Sequence, residues 1–271
     1  MTGLYAVPQT DPPRSPRETL PTMYDLPSEE VGEPGLPDEY HDLQAQLLSR
    51  TFRPPTCAAD RRFTVSDMNL YYDVHHPRWY KRPDWFAVIG VPRLYDRQDL
   101  RLSYVIWQEG VTPIVVVELL SPGTEAEDLG PYAETTADIS LAETNEALPP
   151  PKWQVYETIL RIPYYVVFSR YTDQMRVFIQ NGGHYREQVL DQPKIWIPEL
   201  AMGLGLWRGE FAGITRSWLR WYDEQGNWMP TDTDEAETRA EQAETRAEQA
   251  EQQLADLRER LRQRGLDPDT L

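Results

Sequence analysis

The sequence predicts an α/β core with a coiled-coil helix appended at its C-terminal end, on three observations. Short β-branched and aromatic runs of strand length recur through the middle of the chain, two segments with helical apolar spacing stand among them, and residues 232–271 carry an alanine-leucine heptad. Composition bounds the rest. The 271 residues include 44 acidic and 27 basic side chains, a formal net charge of -17, and 40% apolar residues, which suits one domain of ordinary size with extensions. The single cysteine, Cys57, excludes an intrachain disulfide framework and a thiolate zinc ribbon. No run approaches the ~20 apolar residues of a membrane-spanning helix, and MTGLYAVPQTDPPRSPRE lacks the basic-then-apolar order of a signal peptide, so a cytoplasmic protein is expected, without membrane contact. The negative charge argues against a general basic nucleic-acid coat.

Taken in order, residues 1–36 form a proline-rich arm too poor in apolar periodicity to offset its ordering entropy. From Pro37 to Phe52, Tyr40, Leu43, Leu47 and Leu48 fall at helical spacing until Arg53-Pro54-Pro55 stops them. Strands are expected at 69–74, 85–91, 113–120, 164–168, 175–180 and 184–190, the last two joined by Asn181-Gly182-Gly183 as a hairpin. The run from Ile114 to Leu120 is continuous rather than alternating, which marks a central strand buried on both faces. Pro149-Pro150-Pro151 then leads into a second helix in which Trp153, Tyr156 and Leu160 recur at i, i+3 and i+7, a face suited to packing on the sheet. The core is thus expected over 37–231, interrupted by an acidic insert at 125–151, and the tail over 232–271. In the tail, Ala236, Ala240, Ala243, Ala247, Ala250, Leu254, Leu257 and Leu261 alternate steps of four and three, a coiled-coil seam that is weak in its alanine half. A solvated single helix is the alternative.

Charge is unevenly distributed. Residues 1–50 and 232–271 each contribute -6, and seven further acids from Glu125 to Glu146 have no basic residue among them. An electropositive cleft is therefore compatible with the acidic total, because field depends on placement.

Three residues stand out for chemistry. Metal-dependent phosphodiester cleavage needs hard oxygen ligands and a cation near the attacked phosphate, and Asp84, Glu118 and Lys152 supply that set. Asp84 follows Pro83 at a strand entrance. Glu118 interrupts an apolar strand, where an unpaired carboxylate is costly, and a bound cation would account for it. An arginine partner such as Arg93 or Arg97, or a frayed strand end, would also do so. Only Lys81, Lys152 and Lys194 among the 27 basic residues are lysines, and a compact ammonium does what a guanidinium does not. Lys152 shares a helical face with Tyr156 and Ile159, although a lysine snorkelling at a helix start has the same pattern. His75-His76, His41 and His184 lack a third nearby ligand. No P-loop, dinucleotide glycine pattern or Gly-x-Ser-x-Gly elbow is present.

Pro83-Asp84, then VVVELLSPGT at 115–124, then the helix with Lys152 and Tyr156, then IPYYVVFSRY at 162–171, resembles the Uma2 family of endonucleases within the PD-(D/E)XK nuclease superfamily. The similarity spans roughly residues 37–200, and its most specific part is the E-x-x-S-P turn from Glu118 to Pro122. The resemblance implies a restriction-endonuclease-like fold with a mixed central sheet flanked by helices, and a Mg²⁺ site, with Mn²⁺ as a possible substitute, held by Asp84 and Glu118. It implies DNA as substrate. Superfamily members often carry their lysine two residues after the glutamate, where this chain has Leu120, and the resemblance moves that role to Lys152 on the next helix. The acidic insert departs from the family pattern: beside a phosphate-binding cleft it would repel DNA, either gating the site or marking a copy that has lost activity. The expected function is therefore a Mg²⁺-dependent DNA endonuclease, and the alternative is a catalytically silent nuclease-like scaffold acting through its coiled coil and acidic arms. Homo-oligomers, dimers among them, are expected through residues 236–261. Glu39 on the first helix is a further acid that would lean over the metal, unless it belongs to a solvated face with Asp38 and Asp42.

Overall fold

A computed structural model of the chain describes residues 38–121, 123–133 and 148–263, so the proline-rich arm, Pro122 and most of the acidic insert lie outside the described residues. The chain opens with α1 (Glu39–Thr51), whose N-terminus is capped by the Asp38 carboxylate accepting from the His41 backbone N–H. There follow β1 (Arg62–Val65), β2 (Leu70–Tyr71), β3 (Tyr80–Lys81), β4 (Trp85–Ile89), β5 (Tyr104–Val105), the short α2 (Ile106–Glu109), β6 (Val115–Leu119) and α3 (Glu125–Leu129). The second half holds α4 (Lys152–Gln154), which continues as a π turn over Val155–Ile159, then β7 (Tyr164–Ser169), β8 (Gln174–Asn181), β9 (His184–Glu187), β10 (Lys194–Ile197), β11 (Met202–Phe211), β12 (Ile214–Tyr222) and α5 (Asp232–Gln263). The fold is a mixed α/β fold of the restriction-endonuclease-like kind.

Its main sheet has six strands in the order β1-β4-β6-β7-β8-β9. All neighbours are antiparallel except β6 and β7, which run parallel and need the long crossover through residues 120–163. The position of β6 inside this sheet explains its unbroken apolar run, and every one of its residues is buried.

Period-two alternation sends β6 to two cores. Val115, Val117 and Leu119 join one with α1, Trp85, Ala87 and the second sheet's Leu204, Trp218 and Trp221. Val116 joins the other, with Phe86, Val88, Tyr165, Phe178 and the helix residues Trp153, Val155 and Tyr156.

The strands β1, β3 and β5 and a whole second sheet went unread in the sequence, and one expected strand is shorter than its apolar run. A three-stranded sheet, β10-β11-β12, packs against α1. The buried Gln44 of α1 ties it down, donating to the Leu219 carbonyl at 2.8 Å and accepting from the Leu219 N–H at 2.8 Å. Only Leu70–Tyr71 of the expected 69–74 strand pairs, within the small sheet β3-β2-β5. The lysine helix also differs from expectation. Its π turn carries an extra residue, so Trp153, Tyr156 and Leu160 are buried as the spacing predicts while Ile159, expected on the Lys152 face, is 44% exposed. No helix among the described residues is long and apolar enough to cross a membrane.

Candidate functional site

The site forms where β4 enters the sheet beside the end of β6. Trp85 pairs with Val117 in antiparallel register, so the next step outward sets Asp84 opposite Glu118. Alternation directs both side chains toward α4, on the face of Phe86 and Val116. Backbone and side chain interlock there: the Asp84 N–H donates to Glu118 Oε2 at 3.3 Å, and the Leu119 N–H donates to Asp84 Oδ2 at 2.5 Å.

From α4, the Lys152 ammonium donates to Glu118 Oε2 at 3.1 Å, and the Tyr156 hydroxyl donates to Glu118 Oε1 at 2.9 Å. The three residues singled out in the sequence therefore lie together. The arginine partners weighed for Glu118 do not reach it; Arg93 and Arg97 belong to the loop after β4, and Lys152 is its cation.

Three groups enter that the sequence left aside. Asp128 of α3, 2% exposed, has Oδ1 3.2 Å from the Lys152 ammonium, an ion pair in distance although not aligned as a hydrogen bond. Its neighbour Glu127 pairs with Lys81 at 2.9 Å. The first turn of the acidic insert is thus anchored by two of the chain's three lysines. His41, read as isolated, is buried against the end of β6, with Nε2 3.3 Å from the Leu119 carbonyl and 3.4 Å from Ser121 Oγ, and with Nδ1 2.9 Å from Asp38. Glu39, by contrast, is exposed on the outer face of α1. His76 stacks on Trp79 and pairs with Asp73 rather than gathering ligands.

Electrostatics at this cluster follow from burial. Desolvation raises the Glu118 carboxyl well above its ordinary range, Asp84 and Asp128 add to the rise, and Lys152 opposes it. Asp84 moves upward for the same reason, against the pull of Lys152. Burial alone would weaken the Lys152 ammonium, but Asp128, Glu118 and Asp84 outweigh it and hold the proton more tightly than usual. Burial and the adjacent Glu118 keep Tyr156 protonated.

The donor chemistry suits a hard divalent cation held in part by protein. Three carboxylates against one ammonium leave two formal negative charges uncompensated, and Asp128 Oδ1 is a buried oxygen without a hydrogen-bond donor. Among the described residues no three Asp, Glu, His or Cys side chains make a complete cage. Asp84 and Glu118 would be the ligands, which matches Mg²⁺, an ion that takes one or two carboxylates and keeps water or substrate oxygens for the rest.

A mixed sheet with paired acids at adjacent strand ends and a lysine from the following helix defines a nuclease-like protein of the restriction-endonuclease class. The profile of one family, Uma2, described as "Putative restriction endonuclease", matches residues 14–215. The chain belongs to the Uma2 family. No curated protein is significantly similar to it.

Proposed function

We propose that the protein hydrolyses DNA phosphodiester bonds at the Asp84, Glu118 and Lys152 cluster, using Mg²⁺ or, in its place, Mn²⁺. The observation that supports this most directly is the convergence of two carboxylates from neighbouring strands with an ammonium from the next helix. When bound, the divalent ion would polarise a phosphoryl oxygen and make a bound water more acidic.

The chain's own residues then divide the remaining work. Asp84 and Glu118 would hold the cation, with the Glu118 carboxylate kept in one orientation by the Tyr156 hydroxyl and the Asp84 N–H. Lys152 presents positive charge to the phosphate or orients the attacking water, a role suited to an ammonium that stays protonated. Asp128 positions Lys152 without touching substrate.

Incubation of the pure protein with supercoiled plasmid and Mg²⁺ or Mn²⁺ tests the reading. Nicking is expected with wild type, should stop with EDTA, and should fall by at least about a hundredfold in Asp84→Ala, the scale on which a lost charge-stabilising group acts. Nicking that persists in Asp84→Ala would place the activity elsewhere. Intact plasmid with metal-loaded wild type would favour the catalytically silent scaffold, for which the engagement of Lys152 by two acids is the supporting feature.

A further inference from the structure

A second cleft, with a volume of about 440 Å³, lies on the α1 side of β1 and β4, lined by Ser49, Arg50, Arg53, Arg62, Thr64 and Arg93. Arg62 pairs in register with Ile89 and Thr64 with Ala87, and Ser49 accepts from the Trp85 indole N–H at 2.8 Å, so the cleft runs along the α1 face of β4, whereas Asp84 is on the α4 face. Four arginines line it, and Asp232 is the one acidic residue among the lining. In a chain with a net charge of -17 such a grouping runs against the overall balance.

Asp232 answers only one of these cations. Arg53 donates to Asp232 at 2.6 Å and also to Glu235. Arg50 is held by neutral partners, donating to Gln46 Oε1 at 3.1 Å with its guanidinium over the Phe211 ring. Arg62 and Arg93 have no acidic partner among the described residues, and Arg93 lies 5.9 Å from the Phe63 ring centre. Burial and the charge of Arg53 depress the Arg62 guanidinium from its usual value, although arginine remains cationic in proteins. Like charges crowded in a concave site repel one another unless an anion joins them.

We infer that this cleft is a binding site for a phosphoryl group, with Arg62 and Arg93 as its principal donors and Arg50 at its rim. The charge balance selects the ligand. Once Asp232 has neutralised Arg53, three positive charges remain, and a carboxylate would answer only one of them. A phosphate monoester carries about -1.5 to -2 and offers three acceptor oxygens to forked guanidinium donors. The Thr64 hydroxyl is available for a further hydrogen bond. Asp232 competes for Arg53, so its removal should tighten the site. The inference is independent of the Asp84 cluster, which lies on the other face of the sheet.

Thermal unfolding of the full chain in EDTA, with pyrophosphate against sodium chloride at equal ionic strength, tests this. Wild type should show a saturable rise in Tm, because a ligand bound only by the folded state stabilises it. Affinity should fall about tenfold in Arg93→Ala, an exposed position where folding is not at stake, and about tenfold in Arg62→Gln. It should rise in Asp232→Asn and stay unchanged in Asp84→Ala. A wild-type shift no larger than that of sodium chloride, or an equal pyrophosphate shift in wild type and both arginine variants, would overturn the site. Duplex DNA affinity of the same variants, read by fluorescence anisotropy in EDTA, separates the sources. A parallel loss identifies a backbone phosphate of nucleic acid, and unchanged duplex binding identifies a free phosphorylated small molecule.

Discussion

Asp38 caps α1 and also anchors His41, the group that packs against the end of β6. Its carboxylate accepts from the His41 backbone and ring, and Arg170 pairs with its other oxygen. Burial by itself would raise the Asp38 carboxyl, but the His41 hydrogen bonds and the Arg170 charge outweigh it and bring it down to about 2 from 3.8. A folded-state value below the unfolded one stabilises fully above about pH 4 and fades as pH falls toward 2. Asp38→Asn keeps the cap and loses the charge, so urea unfolding should show it about 1–2 kcal/mol less stable than wild type at about pH 5, after allowance for solvent screening. The gap should narrow at about pH 3; a gap independent of pH would remove the charge from the account. At this scale the site was partly legible. Asp84, Glu118 and Lys152 each break a local rule: an acid at a strand entrance, an acid inside an apolar strand, a lysine among arginines. Asp128 breaks none, because it sits in a run of acids that reads as solvated, and the Leu119 partner of His41 is 78 residues away.

The turn between α3 and α4 carries a tighter constraint than its sequence suggests. Gly130 has φ +51°, and a Cβ built on it would lie 2.5 Å from Trp153 Cγ, whereas Gly110 has φ +71° with open space around it. Gly110→Ala should cost about 1 kcal/mol of backbone strain alone, and Gly130→Ala about 2–4 kcal/mol because Trp153 must move as well. Trp153 adjoins Lys152, so plasmid nicking should fall further in Gly130→Ala than in Gly110→Ala at temperatures where both are folded. Equal urea midpoints for the two variants would show that the turn relaxes freely. The same kind of close approach explains why the second sheet was not legible. A Cβ at Gly203 would lie 1.9 Å from the Tyr222 ring, and Gly205 and Gly209 likewise make room for Lys194 and Trp207. These glycines, with Arg208, Arg216 and Arg220, erase the alternation by which a strand is read. The π turn was equally hidden, because an inserted residue leaves the composition of a helix unchanged.

In the whole molecule, the tail is joined to the core at its root and exposed beyond it. Arg53 reaches Asp232 and Glu235, and the buried Arg220 pairs with Asp234. Further along, Leu254 and Leu257 are 50% and 55% exposed on a 32-residue helix about 48 Å long. Leucines left in solvent at heptad spacing favour a partner helix, and we propose that a second copy of the chain supplies it. Deleting residues 240–271, which spares the root, should lower the number of subunits per particle, read as light-scattering mass divided by chain mass, and leave plasmid nicking intact; an unchanged subunit number would identify a solitary helix. Deletion from 232 is a poorer test, because it strips Arg220 of its carboxylate.

The parallel pairing of β6 with β7 also bears on the order in which the chain folds. Asp84 and Glu118 meet as soon as β4 and β6 pair, but Lys152 arrives only when the crossover through residues 120–163 has closed and β7 has docked. Closure of a long loop must precede the reward of its contacts, and each doubling of its length adds only about 0.6 kcal/mol, so the acidic insert costs the folded chain little. Before that moment two carboxylates stand side by side at the edge of a half-built sheet with no lysine between them. The two like charges oppose that pairing. Docking of β7 therefore does more than extend the sheet: it brings the one ammonium that the two acids share, and so also favours the pairing of β4 with β6.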